Sequence, residues 1–297
     1  MPHRRPCPPP ENMYNTKEVL VVNYLKQIFY FSIMEKKMDI KVLVATHKKY
    51  WMPTDPVYVP LQVGASLHES LGYLPDNTND NISMKNHNYC ELTGIYWAWK
   101  NLKCDYIGLC HYRRYFGRKI HTKNIDKKKK SILNSADYER LLQKYDIILP
   151  KQRNYYIETV RSQYEHAHYK KDLKLVENII QQKYPTYQES FDYVMNKRSL
   201  HLWNMFVMNQ KNFHSYCEWL FDILFTLEPH IDLQKYNAYE ARVFGFLGER
   251  LFNVWLAKNH FRTVDIPVVN LEAVNWPKKI EKFLARKFVG KGREDEN

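Results

Sequence analysis

The chain has 297 residues, 44% hydrophobic and 15% aromatic, with a formal net charge of +13. That is enough apolar surface to exclude intrinsic disorder, and the charge favours anionic partners, whether nucleic acid, acidic lipid or phosphorylated substrates. Glycine is scarce, at 9 residues, and neither G-x-G-x-x-G nor G-x-x-x-x-G-K-[ST] occurs, which removes the usual signatures of dinucleotide and P-loop binding.

Residues 1–37 read as an extension outside the folded unit. Their Pro- and Arg-rich start leads to an apolar run, Val19 to Ile33, that Asn23, Lys26 and Gln27 break too often for a membrane span. Ile40 to Ala45 is β-rich and ends in a polar, aromatic loop that holds Thr46, His47 and Lys48. Pro53, Pro56 and Pro60 then forbid regular helix. Gly72 to Asn88 is a polar loop rich in Asp and Asn, with Asp80, Asn81 and Lys85. A helix is predicted over 88–102, with Asn88 and Glu91 at capping-box spacing. Tyr89, Leu92, Tyr96 and Trp99 mark one face, and the aromatics suit a core better than a sugar-stacking platform.

Tyr106 to Cys110 is a short apolar run that predicts a buried strand. It runs into His111, Arg113 and Arg114, set between Tyr112, Tyr115 and Phe116. In open α/β sheets ligands bind outside the carboxyl ends of the strands, so this end is suited to something anionic and flat, such as a nucleotide diphosphate. Lys127 to Lys130 reads as part of a solvated loop. A short helix over 137–144, a strand over 145–150 and a helix over 158–183 stopped by Pro185 follow. Next come a strand over 203–208, a helix over 216–227, a long helix over 240–259 and a strand over 264–269. This alternation predicts an α/β domain over 38–272, with a mostly parallel central sheet covered by helices. In the tail, 273–297, Ile280, Phe283, Leu284 and Phe288 share a helical face ringed by Lys278, Lys279, Lys282, Arg286 and Lys287. Such a helix either lies on an anionic membrane surface or packs on the domain itself.

The five cysteines form no C-x-x-C pair, which argues against structural zinc. Cys90, Cys104, Cys110 and Cys217 lie in apolar company, as buried free thiols do, and imply a reducing, cytoplasmic setting.

Six segments in order carry a resemblance: VLVATHK (Val42 to Lys48), DNISMKNHNYCELTGIYWAWKN (Asp80 to Asn101), DYIGLCHYRRYF (Asp105 to Phe116), the segment of His166, His168 and Asp172, MFVM with YCEWLF (Met205 to Phe221), and RVFGFLGERLFNVWL (Arg242 to Leu256). Together they resemble a family of bacterial capsular and exopolysaccharide glycosyltransferases whose domain long carried only an unknown-function label. The resemblance spans Ile40 to Val269 and implies a GT-A-like, Rossmann-like single domain. It further implies transfer of a hexose, galactose or galactofuranose among related enzymes, from a UDP-sugar to a lipid-linked glycan acceptor. Capsular, exopolysaccharide or O-antigen synthesis at the inner face of the cell membrane is the implied setting.

GT-A enzymes commonly hold Mn or Mg on a DxD motif after a central strand. Here that place is taken by His111-Tyr112-Arg113-Arg114, with no acidic pair. Arg113 or Arg114, helped by His111, is the candidate to neutralise the diphosphate in place of a metal. The alternative is that one arginine pairs with a structural carboxylate such as Glu91. Thr46, His47 and Lys48, and likewise Asp80, Asn81 and Lys85, are candidates for nucleotide contacts, the alternatives being a plain surface loop and helix capping. Glu249, beside Arg250 in an apolar helix, is either the base for the acceptor hydroxyl or half of an internal ion pair. His166, His168, Asp172 and Arg242 are candidates for acceptor binding. The two histidines, two residues apart, do not share a helix face as a metal pair would. Two other functions compete: a non-catalytic partner in a polysaccharide-assembly machine, and a nucleic-acid-binding protein, which lacks helix-turn-helix, RRM and zinc signatures.

Overall fold

Eleven strands and nine α-helices form within residues 37–272, which are the residues described by the computed structural model. The chain divides into two units, Met1–Met38 and Asp39–Asn297, and the fold below belongs to the second. The extension read at the N-terminus (Lys37 apart) and the amphipathic tail lie outside the described residues. The strands are β1 (Ile40–Thr46), β2 (Tyr58–Gln62), β3 (Leu74–Pro75), β4 (Tyr106–His111), β5 (Arg114–Phe116), β6 (Ile147–Pro150), β7 (Arg153–Asn154), β8 (Ser199–Leu200), β9 (Phe206–Asn209), β10 (Thr263–Ile266) and β11 (Val268–Asn270). The helices are α1 (Asn86–Tyr89), α2 (Leu92–Asn101), α3 (Ile125–Lys130), α4 (Ser135–Leu142), α5 (Val160–Ala167), α6 (Lys170–Lys183), α7 (Gln188–Asn196), α8 (Gln210–Leu227) and α9 (Val243–Asn259).

The central sheet runs β10-β6-β9-β4-β1-β2-β3, with β5 and β11 added beside β4. Four of the six neighbouring pairs along this path are parallel, and β9 is the antiparallel strand between β4 and β6. The apolar runs of β1 and β4 are continuous because both faces are covered. Leu43, Ala45, Ile107 and Leu109 join a core with α2, α8 and α9, where the expected core aromatics Tyr96, Trp97 and Trp99 pack. On the other face Tyr58, Tyr115 and Tyr138 meet edge to face, and the Tyr58 hydroxyl donates to the Leu133 carbonyl at 2.7 Å. Gly108 lets β4 and β9 close up: a Cβ there would stand 2.7 Å from Val207 Cγ2 and 2.8 Å from the Phe206 carbonyl oxygen.

The helix predicted over 88–102 is two helices. Cys90, at φ 53°, breaks the chain between α1 and α2, and the Asn88–Glu91 capping box does not form. Asn88 donates instead to the Ala241 carbonyl. The helix predicted over 158–183 also breaks, at His168, which is extended and separates α5 from α6. Lys127 to Lys130 are helical rather than loop, because the Asn124 side chain caps α3. The strand expected from Trp203 starts only at Phe206, and the late strand splits at Pro267, with β10 pairing β6 and β11 pairing β5. Of the cysteines, Cys110 and Cys217 are buried, Cys90 and Cys104 half-buried, and all four are free.

One buried carboxylate ties the loops of the carboxyl edge together. Asp76, wholly buried, accepts from the backbone of Gly64 and Ala65, both at 2.9 Å, and from the hydroxyls of Ser83 at 2.5 Å and Thr93 at 2.6 Å. Four donors converge from the loop after β2, the turn before α1 and the first turn of α2. Asp76→Ala strands them in the interior, at a cost of about 3 kcal/mol or more. For a domain of this size the thermal midpoint should fall by roughly 6–12 °C; an unchanged melt would show that water replaces the carboxylate without loss.

Candidate functional site

The carboxyl ends of β1, β4 and β6 share one sheet edge, because β4 pairs parallel with β1 while β9 pairs antiparallel with both β4 and β6. Just before β9, at that edge, Trp203 and Asn204 stand at φ 70° and φ 51°. With Cys90 they make three of the six non-glycine residues at positive φ among the described residues. Such conformations cost free energy and persist only where the surroundings enforce them.

Four groups enforce the turn. The Trp203 backbone N–H donates to Glu249 Oε1 at 2.7 Å. The Trp203 carbonyl accepts from His111 Nε2 at 2.7 Å, which fixes the proton on that nitrogen. The Asn204 side-chain amide donates to Glu91 Oε1 at 2.8 Å. The Trp203 ring lies 5.3 Å from the Arg114 guanidinium carbon. Glu91 occupies the N-cap position of α2, and Glu249 projects from the second turn of α9.

Burial raises the pKa of Glu249, and the charge of Glu91 adds to it, against the pull of Arg250, the Trp203 N–H and Arg114. Its Oε2 meets Arg250 Nη1 at 3.2 Å, and its side chain remains 18% exposed. Glu249 thus forms the ion pair with Arg250, and its proton affinity is raised by burial. Burial lowers the pKa of His111, and both arginines add to the effect. With Nε2–H committed to Trp203, the neutral ring keeps only an acceptor nitrogen, so His111 positions the turn rather than donating to a phosphate.

Cations rim this acidic floor. Arg113 Nη1 meets Glu272 Oε2 at 2.8 Å, so the carboxylate partner of an arginine is Glu272 and not Glu91. The buried Arg113 Nε and Asn204 Oδ1 have no hydrogen-bond partner among the described residues. His47 lies edge-on to Tyr112, and Lys48 Nζ sits 5.1 Å from the same ring. Burial, followed by Lys48, Arg113, His68 and Arg242, holds the His47 pKa below its ordinary value. Thr46 is different: its buried hydroxyl closes a turn with both the N–H and the carbonyl of Lys48. Arg242 Nε donates to Cys90 Sγ at 3.2 Å, and burial pushes that thiol up to about 11, so it is protonated at neutral pH.

Other sequence-predicted residues lie elsewhere. Asp80 accepts from the Tyr96 hydroxyl, and its carbonyl from Asn101, at the end of α2 that leads into the start of β4. His111 lies at the other end of that strand, so Asp80 and its neighbour Asn81, which bonds Asn79 and Ser83, staple a loop instead of lining the site. Lys85 Nζ is held by both oxygens of Glu228 at 2.7 Å. His168, 5% exposed, bonds Glu240 Oε2 and packs on Phe246, while Asp172, 1% exposed, accepts from the Tyr236 hydroxyl. Neither is open to an acceptor as it stands; His166, exposed and bonded to Glu158, and Arg242 are. Trp203, Asn204 and the role of Glu91 were not anticipated. The one signal for them was an asparagine, a residue that tolerates the left-handed region, at the start of an apolar run.

A solved apo structure of the WbbM bifunctional glycosyltransferase matches the chain with a TM-score of 0.74 and 31% sequence identity, over 79% of this chain and 46% of that one. The chain thus spans a little under half the length of WbbM. No curated protein matches it significantly. Residues 41–260 match the family described as a domain of unknown function (DUF4422), and the chain belongs to that family.

Proposed function

We propose that the chain is a glycosyltransferase that moves a hexose from a UDP-sugar to a lipid-linked glycan acceptor, with Glu249 as the base for the acceptor hydroxyl. The observation that carries this reading is Glu249 itself: a carboxylate of raised proton affinity, oriented by the Trp203 N–H beneath a cationic rim. The likeness to WbbM, a glycosyltransferase, supports the reaction class. In an inverting displacement the acceptor oxygen attacks the anomeric carbon as its proton passes to Glu249. The bond from that carbon to the diphosphate breaks, and UDP departs with the bonding pair. Arg114 and Arg113 then meet the charge that develops on the leaving oxygen. Arg113, its side chain 37% exposed, is open to it. The arginines are assigned the diphosphate on their fixed positive charge and fork of N–H donors.

The acceptor places the protein at the inner face of the cell membrane, in the synthesis of a capsule, exopolysaccharide or O-antigen. No helix among the described residues is long and apolar enough to cross a membrane.

Replacing Arg113 and Arg114 together by Ala should weaken UDP binding by about 10- to 100-fold in calorimetry. Unchanged UDP affinity in a folded double variant would remove the diphosphate assignment. Glu249→Gln should keep UDP binding and lower turnover by at least about 100-fold, read as UDP release with membrane-extracted acceptors. The wild-type rate should fall as pH drops through the raised pKa of Glu249, so the acidic limb of the profile lies above the usual carboxylate range of about 4.3. A limb at the ordinary glutamate value points to a different base.

A further inference from the structure

Seven large hydrophobic side chains stand exposed among the described residues, and two that adjoin, Tyr156 at 76% and Ile157 at 54%, form the tip of the turn after β7. Their exposure is not slack in the chain. Tyr155 turns inward against the core, and its N–H donates to the Arg198 carbonyl at 2.7 Å. Tyr156 is held at φ 62°, its N–H donating to Asn154 Oδ1 at 2.5 Å and its carbonyl accepting from Arg198 Nη1 at 3.3 Å. The Ile157 N–H closes the turn on the Tyr155 carbonyl at 2.7 Å. A non-glycine residue at positive φ, locked by side-chain bonds so that two apolar side chains point into water, is unexplained by folding alone.

The surroundings name the partner. The turn follows β7, which pairs antiparallel with β8, Arg153 with Leu200 and Asn154 with Ser199. Lys151, Arg153, Lys197 and Arg198 come from these two segments. The nearest acid in sequence, Glu158, is buried and bonded to His166. Lys197 Nζ sits 5.2 Å from the ring of Tyr193, a second exposed aromatic at 59%. Glu189 and Asp192, the latter accepting from Gln188, are the acids of the adjoining helix α7. An aromatic and an aliphatic tip amid long cationic side chains is the pattern that seats in the headgroup layer of an anionic bilayer: the apolar atoms enter the acyl boundary and the cations stay with the phosphates.

We propose that the Tyr156–Ile157 turn is a membrane-docking tip for anionic lipid. It is a different element from the basic tail, and it docks whatever reaction the neighbouring site performs. The turn follows β6 out of the carboxyl edge.

The test is co-sedimentation of the full chain with vesicles of phosphatidylcholine, with and without phosphatidylglycerol. Tyr156→Asn combined with Ile157→Ser keeps a residue that tolerates positive φ and removes the apolar tip; it should lower partitioning onto the anionic vesicles by at least about tenfold, with an unchanged melting temperature. Lys151→Glu should weaken binding to anionic vesicles and leave binding to neutral ones as it was. Wild-type partitioning by a folded double variant overturns the proposal, and leaves the tip as a contact for another protein and the tail as the lipid anchor. Because the readout is vesicle binding and not transfer, an inactive enzyme neither supports nor weakens the result.

Discussion

The Trp203–Asn204 turn, pinned in the left-handed region between two carboxylates, is the constraint on which the site depends. Two residues in that region cost on the order of 1–3 kcal/mol each. Against this stand the Trp203 N–H to Glu249, the Asn204 amide to Glu91 and the His111 ring to the Trp203 carbonyl. Hydrogen bonds to charged groups contribute about 1.5–3 kcal/mol each, so the two carboxylates together offset a strain of that size. The same bonds orient the groups that chemistry needs. The turn is strained because Glu249, Glu91, His111 and Arg114 all reach it from different elements.

The electrostatics are layered. Acids lie at the floor, where burial dominates and raises the proton affinity of Glu249. At the rim burial depresses the pKa of His47, and Lys48, Arg113, His68 and Arg242 add to it. Arg114 sits between the layers: burial and Arg113 lower its pKa, while Glu91, Glu249 and Glu272 raise it. Its guanidinium stays charged even so, because the reference value of arginine is far above neutrality. A buried carboxylate below and positive charge above are thus held within one small region.

Much of the fold is legible in the chain because β1 and β4 are covered on both faces and therefore read as unbroken apolar runs. The edge that carries the site is legible too, since His111 to Arg114 follows such a run directly. What is not legible is local conformation set by distant partners. Asn88 and Glu91 have capping spacing, yet Ala241 claims one and Asn204 the other. No Pro or Gly marks the break at His168, where Glu240 and the Phe246 ring hold an extended residue between two helices. Asp80 and Lys85 look like ligand groups until Tyr96 and Glu228 are seen to occupy them. Trp203 reads as strand because composition reports burial and not the sign of φ.

Topology explains why that turn is at the right place. In a wholly parallel sheet, the residues before a strand lie at the amino edge, far from any ligand. β9 runs against β4 and β6, so Phe206 pairs with Leu109 and the residues before β9 arrive at the carboxyl edge. One reversed strand thus inserts Trp203 and Asn204 between the ends of two strands that run the other way. The helices α2 and α9 precede β4 and β10, both parallel to that set, and so begin at the same edge. Their early residues, Glu91 and Glu249, are delivered to either side of the turn. Restoring β9 to parallel would keep a buried sheet and both carboxylates, but it would remove the backbone N–H that aims Glu249.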